Sequence, residues 1–114
     1  MKGKTRYSNN KVSEFTQATR FEELPNVGPA TAGDLRLLGL VHPRDLRGRD
    51  PLQLFRELEH RSGSRQDPCV LDVLIGLTRQ AGGDPLQPWW HYTAERKALY
   101  GNARSADDSA DGLR

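Results

Sequence analysis

Gly28 and Pro29 stand together in the run Leu24-Pro25-Asn26-Val27-Gly28-Pro29, and that pairing can bind an anion. Proline suits the first position of a helix, because the N–H it lacks would find no partner there. Glycine permits backbone conformations that a side chain would forbid. A helix opened this way presents free N–H groups at its positive end, an arrangement that receives phosphate. The plainer alternative is a turn that only packs two helices together.

Other groups with chemical potential are Cys69, His42, His60 and His91. No two of them have the close spacing of zinc ligands. A nucleophilic pair of Cys69 with His91 stays open, since such partners are often distant in sequence. A place near a helix N-terminus would favour the Cys69 thiolate. An inert buried cysteine is the plainer reading. Capping and surface roles account for Asp67 and Asp72. No catalytic motif is present, so a non-enzymatic role is expected.

The chain has 114 residues, the length of one domain, and 35% of them are hydrophobic. That share fits a small core with polar ends. Residues 1–66 carry twelve Lys and Arg against eight Asp and Glu, a balance of +4. Residues 67–114 carry five against seven, a balance of −2, which together give the +2 of the whole chain. A basic front half suits a nucleic-acid face, and a solvated surface of mixed sign explains it equally well. No run of apolar residues is long enough to span a membrane. One cysteine excludes an internal disulfide framework, which points to the reducing cytoplasm.

The elements that must position the Gly28 turn read as helices. Residues 1–12 are expected to be a flexible basic arm, 13–101 the folded domain and 102–114 a disordered tail. Thr19 with Glu22 has the capping-box spacing for a short helix over 20–24. A second helix runs from Pro29 to Leu38, with Ala32, Leu35 and Leu38 inward, and stops at Gly39. A short turn covers Pro43 to Leu46. Asp50-Pro51 opens a helix to about Arg61, with Leu52, Phe55 and Leu58 inward. Asp67-Pro68 opens another to Ala81, apolar around most of its circumference and therefore the central buried helix. Pro85 and Pro88 lead to Trp89-Trp90, and Thr93 to Tyr100 closes the domain. The expected fold class is all-α.

Leu24 to Pro29 resembles the helix-hairpin-helix motif, which reads apolar-Pro-Gly-apolar-Gly-Pro and is often followed by Lys. The resemblance implies that backbone amides, here of Asn26, Gly28 and Thr31, grip one phosphate. It also implies that hairpin carbonyls, here of Glu22, Leu24 and Val27, can hold a monovalent cation, K+ or Na+, bridging to that phosphate. Contacts of this kind carry little sequence preference. Asn26 replaces the first glycine, and asparagine tolerates left-handed backbone. Ala30 replaces the usual basic residue, for which Arg36 could compensate. Pro43 to Pro51 resembles a degenerate second copy, with Arg47, Gly48 and Arg49 at its turn. Asp50 stands where a glycine would help, and a merely helix-capping turn explains the segment equally well. Two such copies form the compact tandem, SAM-like unit. The implied phosphate-contacting set is Asn26, Val27, Gly28, Ala30, Thr31, Arg36, Arg47, Gly48 and Arg49.

Three separated segments narrow the resemblance: Asp34-Leu35-Arg36-Leu37-Leu38-Gly39, Asp67-Pro68-Cys69-Val70-Leu71-Asp72, and Pro88 to Lys97 with its Trp89-Trp90-His91-Tyr92. With the hairpin they are similar to a small bacterial family of helix-hairpin-helix proteins, described as pathogenicity-locus or mitomycin-resistance-like. The resemblance covers about residues 20–101. It implies DNA binding without an assigned reaction, with a link to DNA damage. Trp89, Trp90 and Tyr92 are expected to seal the core, with their polar atoms reaching a partner. Stacking on an unpaired base would need exposure. A protein contact at Trp89 and Trp90 is the alternative function.

Overall fold

Three of the four α-helices open on a proline in the computed structural model, which describes residues 11–101. Helix α1 is Pro29–Leu37, α2 is Pro51–Ser62 and α3 is Pro68–Ala81. Helix α4, Thr93–Tyr100, continues directly from a 3-10 turn at Trp89–Tyr92. Further 3-10 turns lie at Phe15–Gln17, Phe21–Glu23 and Pro43–Leu46. Among the described residues there is no strand, and the fold is all-α. The expected arm at residues 1–12 lies outside the described residues except for Lys11 and Val12, and the expected tail at 102–114 lies wholly outside them.

The helix ends follow local chemistry. The Asp50 carboxylate accepts from the Leu52 N–H at 3.0 Å, and Asp67 from the Cys69 N–H at 3.2 Å. Each satisfies an amide that the helix itself leaves unpaired. Gly39 ends α1 at φ +88°, a conformation that favours glycine. This turn lets the Leu40 N–H reach the Leu35 carbonyl at 3.1 Å and sends Leu40 back into the core.

Helix α3 is the centre, as its all-round apolar pattern predicts. Leu71, Leu74, Ile75 and Leu77 are buried on it. It packs against α2, α4 and the turns at 15–17, 43–46 and 89–92. Phe21, Leu24, Val27, Ala32 and Leu35 pack the α1 side of the same core, and Leu54, Phe55 and Leu58 the α2 side. Leu54 takes the deep position expected of Leu52, which is only half-buried. Full burial of each leucine, phenylalanine, valine or isoleucine in this core stabilises by about 1.5–3 kcal/mol.

Two features of α3 lie beyond its apolar pattern. Gly76 lies against the Tyr92 ring, so close that an added Cβ would sit 2.8 Å from it. Asp72 is not a surface carboxylate. It is wholly buried and accepts from Arg96 Nε at 2.7 Å and from the Thr93 hydroxyl at 2.7 Å. Arg96 also donates to the Gly101 carbonyl at 2.9 Å. Its burial is possible because both charged partners are hydrogen-bonded.

The first short helix is smaller than expected and is capped differently. Only Phe21–Glu23 is helical. Glu23, not Glu22, takes the capping place, accepting from the Thr19 N–H at 2.8 Å and the Arg20 N–H at 3.2 Å. Glu22 is drawn instead to Arg36, a partner that local spacing does not reveal. The folded domain also begins earlier than residue 13. The Val12 N–H donates to the Glu23 carbonyl at 2.9 Å, and Lys11 reaches the turn beyond it.

Candidate nucleic-acid interface

The loop between Leu24 and Pro29 is fixed from below and open above. Leu24 and Val27 are buried, and the Val27 N–H closes onto the Leu24 carbonyl at 3.0 Å. Gly28, Pro29 and Ala30 are exposed, with Asn26 and Thr31 half-buried beside them. Gly28 is the N-cap of α1 and no side chain caps that helix. The first-turn amides therefore face outward without an internal acceptor.

Gly28 itself departs from expectation. Its φ of −97° and ψ of −174° are extended values open to any residue. A Cβ built there would meet nothing within 4 Å. Neither the backbone nor the packing of this chain requires glycine at 28. What its absent side chain does is leave the amides uncovered.

Asn26 has a task that the sequence did not reveal. Its side-chain amide donates to the Gln87 carbonyl at 2.7 Å, tying the loop to the segment before Trp89. Gln80 donates to the same carbonyl at 3.2 Å and to the Tyr92 hydroxyl at 3.2 Å. The loop and the tryptophan segment are therefore one hydrogen-bonded unit.

Three carbonyls on the inner side of the loop meet one ammonium. Lys11 Nζ donates to the Glu22 carbonyl at 2.8 Å, to Leu24 at 3.1 Å and to Val27 at 2.9 Å. Above Phe21, Arg36 makes a two-pronged pair with Glu22, both contacts at 2.8 Å. The guanidinium carbon is 5.5 Å from the Phe21 ring centre. The Arg36 hydrogen bonds hold the Glu22 carboxyl down to about 2.

The second loop follows the first at a spacing of 22 residues. Asp45 accepts from the Val41 and His42 amides, as Glu23 does from Thr19 and Arg20. The Arg49 N–H closes onto the Leu46 carbonyl at 3.2 Å, the counterpart of Val27 on Leu24. Gly48 takes φ +78°, the left-handed turn that glycine allows. Asp50 falls where Gly28 stands, and its carboxylate fills the helix end that Gly28 leaves bare. Arg47, Gly48 and Arg49 are exposed. No hydrogen bond or ion pair among the described residues joins them to the first loop.

The tryptophan segment divides. Tyr92 is in the core, Trp89 is half-buried and Trp90 is 64% exposed. Trp90 therefore does not seal the core as expected, because the 3-10 turn points successive residues in different directions. The two indoles meet edge-to-face at 5.8 Å. Trp89 lines a cavity of about 300 Å³ with Asn26, Asp34, Cys69 and Val73. Burial and the carboxylates of Asp67 and Asp72 push the Cys69 thiol up, against the thiolate expected of its place at a helix start. His91 lies against Tyr92, their ring centres 4.9 Å apart. Among the described residues no three His, Cys, Asp or Glu side chains gather to hold a metal ion.

Burial also raises the Asp34 carboxyl. A folded-state pKa above the unfolded one stabilises at low pH and loses that stabilisation as pH rises through the folded value. Asp34 also lies in the last turn of α1, where negative charge opposes the helix dipole. Asp34→Asn is expected to raise the melting temperature at pH 7 by roughly a few degrees and to change it little at pH 3. Thermal melts at the two pH values check this. A variant less stable at pH 7 would show that the carboxylate is favourably engaged.

These features define a small all-α domain of two turn–loop–helix units closed over a buried central helix. None of its helices among the described residues is long and apolar enough to cross a membrane. The family model described as "Pathogenicity locus" matches residues 14–98, and the chain belongs to that family. It is similar to the "Mitomycin resistance protein McrB" of Streptomyces lavendulae, with 39% identity over 92 residues. That match covers 78% of this chain and 88% of the relative. No solved structure matches the chain significantly.

Proposed function

We propose that this protein is a non-catalytic, cytoplasmic DNA-binding module that holds the phosphate backbone without strong sequence preference. In this reading its two turn–loop–helix units act as tandem helix-hairpin-helix motifs. The observation that carries it is the bare start of α1. Gly28 lacks a side chain where the fold would accept one, and the amides beyond it have no cap. A phosphate oxygen is the acceptor that such amides suit. Arg47 and Arg49, exposed at the second loop, supply positive charge. Arg36 reaches a phosphate only in competition with Glu22. The name of the Streptomyces relative, a mitomycin resistance protein, suits a role in the response to DNA damage.

Backbone amide shifts measured during titration with duplex DNA test this reading. Gly28, Ala30 and Thr31 are expected to move most, followed by Gly48 and Arg49. Shifts confined to other parts of the surface would count against it.

The exposed Trp90 favours a second reading, a protein-interaction module built on the Trp89–Trp90 segment. Aromatic side chains are enriched at such interfaces. Trp90→Ala would leave DNA affinity unchanged under the first reading and remove partner binding under the second.

A further inference from the structure

The three carbonyls beneath the first loop form a cation cage, and its occupant is part of the chain. An ammonium has three donors and no acceptor. Lys11 Nζ spends all three on Glu22, Leu24 and Val27, at 2.8, 3.1 and 2.9 Å. Leu24 and Val27 are themselves buried, so their two carbonyls are shielded from bulk water, while Glu22 is half-buried. Converging backbone carbonyls at such distances replace the hydration shell of a monovalent cation. Ammonium and potassium ions are close in size, and a cage fitted to one accepts the other.

We propose that Lys11 is a tethered substitute for a monovalent metal ion, and that the loop becomes a potassium-binding site when the lysine side chain is removed. Lys11 is then a positioning residue for the loop. It clamps the carbonyl side of the turn whose amide side is bare at Gly28. It also joins the chain before residue 12 to the hairpin, in company with the Val12 amide on Glu23. Because the cation is covalently attached, it costs no ion-binding equilibrium, and the loop keeps its shape in any salt.

The test uses the full chain and its Lys11→Ala variant, melted in choline, lithium, sodium, potassium and ammonium chloride at one ionic strength. No DNA is present, so the outcome is separate from that of the DNA-binding reading. The wild-type protein is expected to melt at one temperature in all five salts. Lys11→Ala should melt roughly 6–15 °C lower in choline, the loss expected for a charged hydrogen-bonded contact. At least half of that loss should return in potassium or ammonium, and little of it in lithium. An equal loss in every salt, or no loss in any, would overturn the proposal. A variant that folds only in potassium or ammonium would support it. If the variant folds in none, proton exchange at the lysine ammonium groups of the wild type decides. Lys11 should exchange markedly more slowly than exposed Lys97, and equal rates would overturn the proposal.

Discussion

Asp72→Ala is expected to lower the free energy of unfolding by about 3–5 kcal/mol, the penalty typical of a buried ion pair that loses one partner. Domains of this size are stable by only about 5–15 kcal/mol, so the loss is a large fraction of the total. The cause is specific. Asp72 is wholly buried and Arg96 nearly so. Removing the carboxylate leaves a guanidinium in the interior with, among the described residues, only the Gly101 carbonyl, and leaves the Thr93 hydroxyl without its acceptor. The pair links the central helix α3 to α4, so its loss frees the C-terminal helix as well. The double change Asp72→Leu with Arg96→Met should recover most of the stability, since a paired charge exchanged for apolar volume is near neutral. Denaturant unfolding of the three proteins measures this. A single-variant loss below about 1 kcal/mol would mean that water or a shifted helix rescues Arg96.

Gly28→Asp is expected to separate folding from DNA binding. Position 28 is an N-cap without a capping side chain, and an added Cβ meets nothing within 4 Å. Aspartate is among the best N-cap residues and gains from the helix dipole, so stability should hold or rise by about 0.5–1 kcal/mol. The second loop already shows this arrangement, with Asp50 accepting from the Leu52 amide. The new carboxylate would occupy the amides and repel the phosphate they are proposed to hold. Affinity for duplex DNA should fall at least tenfold, since hydrogen bonds to a charged group are worth about 1.5–3 kcal/mol. A variant with full DNA affinity would remove the first loop from the interface, whatever else binds.

The frame of this fold was legible because its signals are local. Pro29, Pro51 and Pro68 open helices, Asp50 and Asp67 cap two of them, and Gly39 closes the first. The apolar surround of residues 68–81 marked the central helix. The contacts that tune the candidate site were not legible, because each joins residues far apart in the chain. Glu22 satisfies the capping spacing as well as Glu23 does, and only the approach of Arg36 decides between them. Asn26 looked like a weak glycine substitute, yet its partner Gln87 lies 61 residues away. Asp72 is an ordinary carboxylate until Arg96 arrives from α4. Lys11 fell within a polar, aperiodic stretch with no sign that its ammonium would reach three carbonyls. The glycine at 28 misled in the other direction. Its presence suggested a strained backbone, and the backbone there is ordinary.

The central claim is that the bare start of α1 and the exposed arginines of the second loop hold the phosphate backbone of DNA. Binding to duplex, single-stranded and branched DNA, titrated from about 50 to about 200 mM salt, tests it most directly. The account predicts measurable affinity for at least one of these that does not depend on base sequence and weakens about tenfold or more across that range, as released counterions require. Affinity unchanged by salt, or no binding to any of the three, would contradict it.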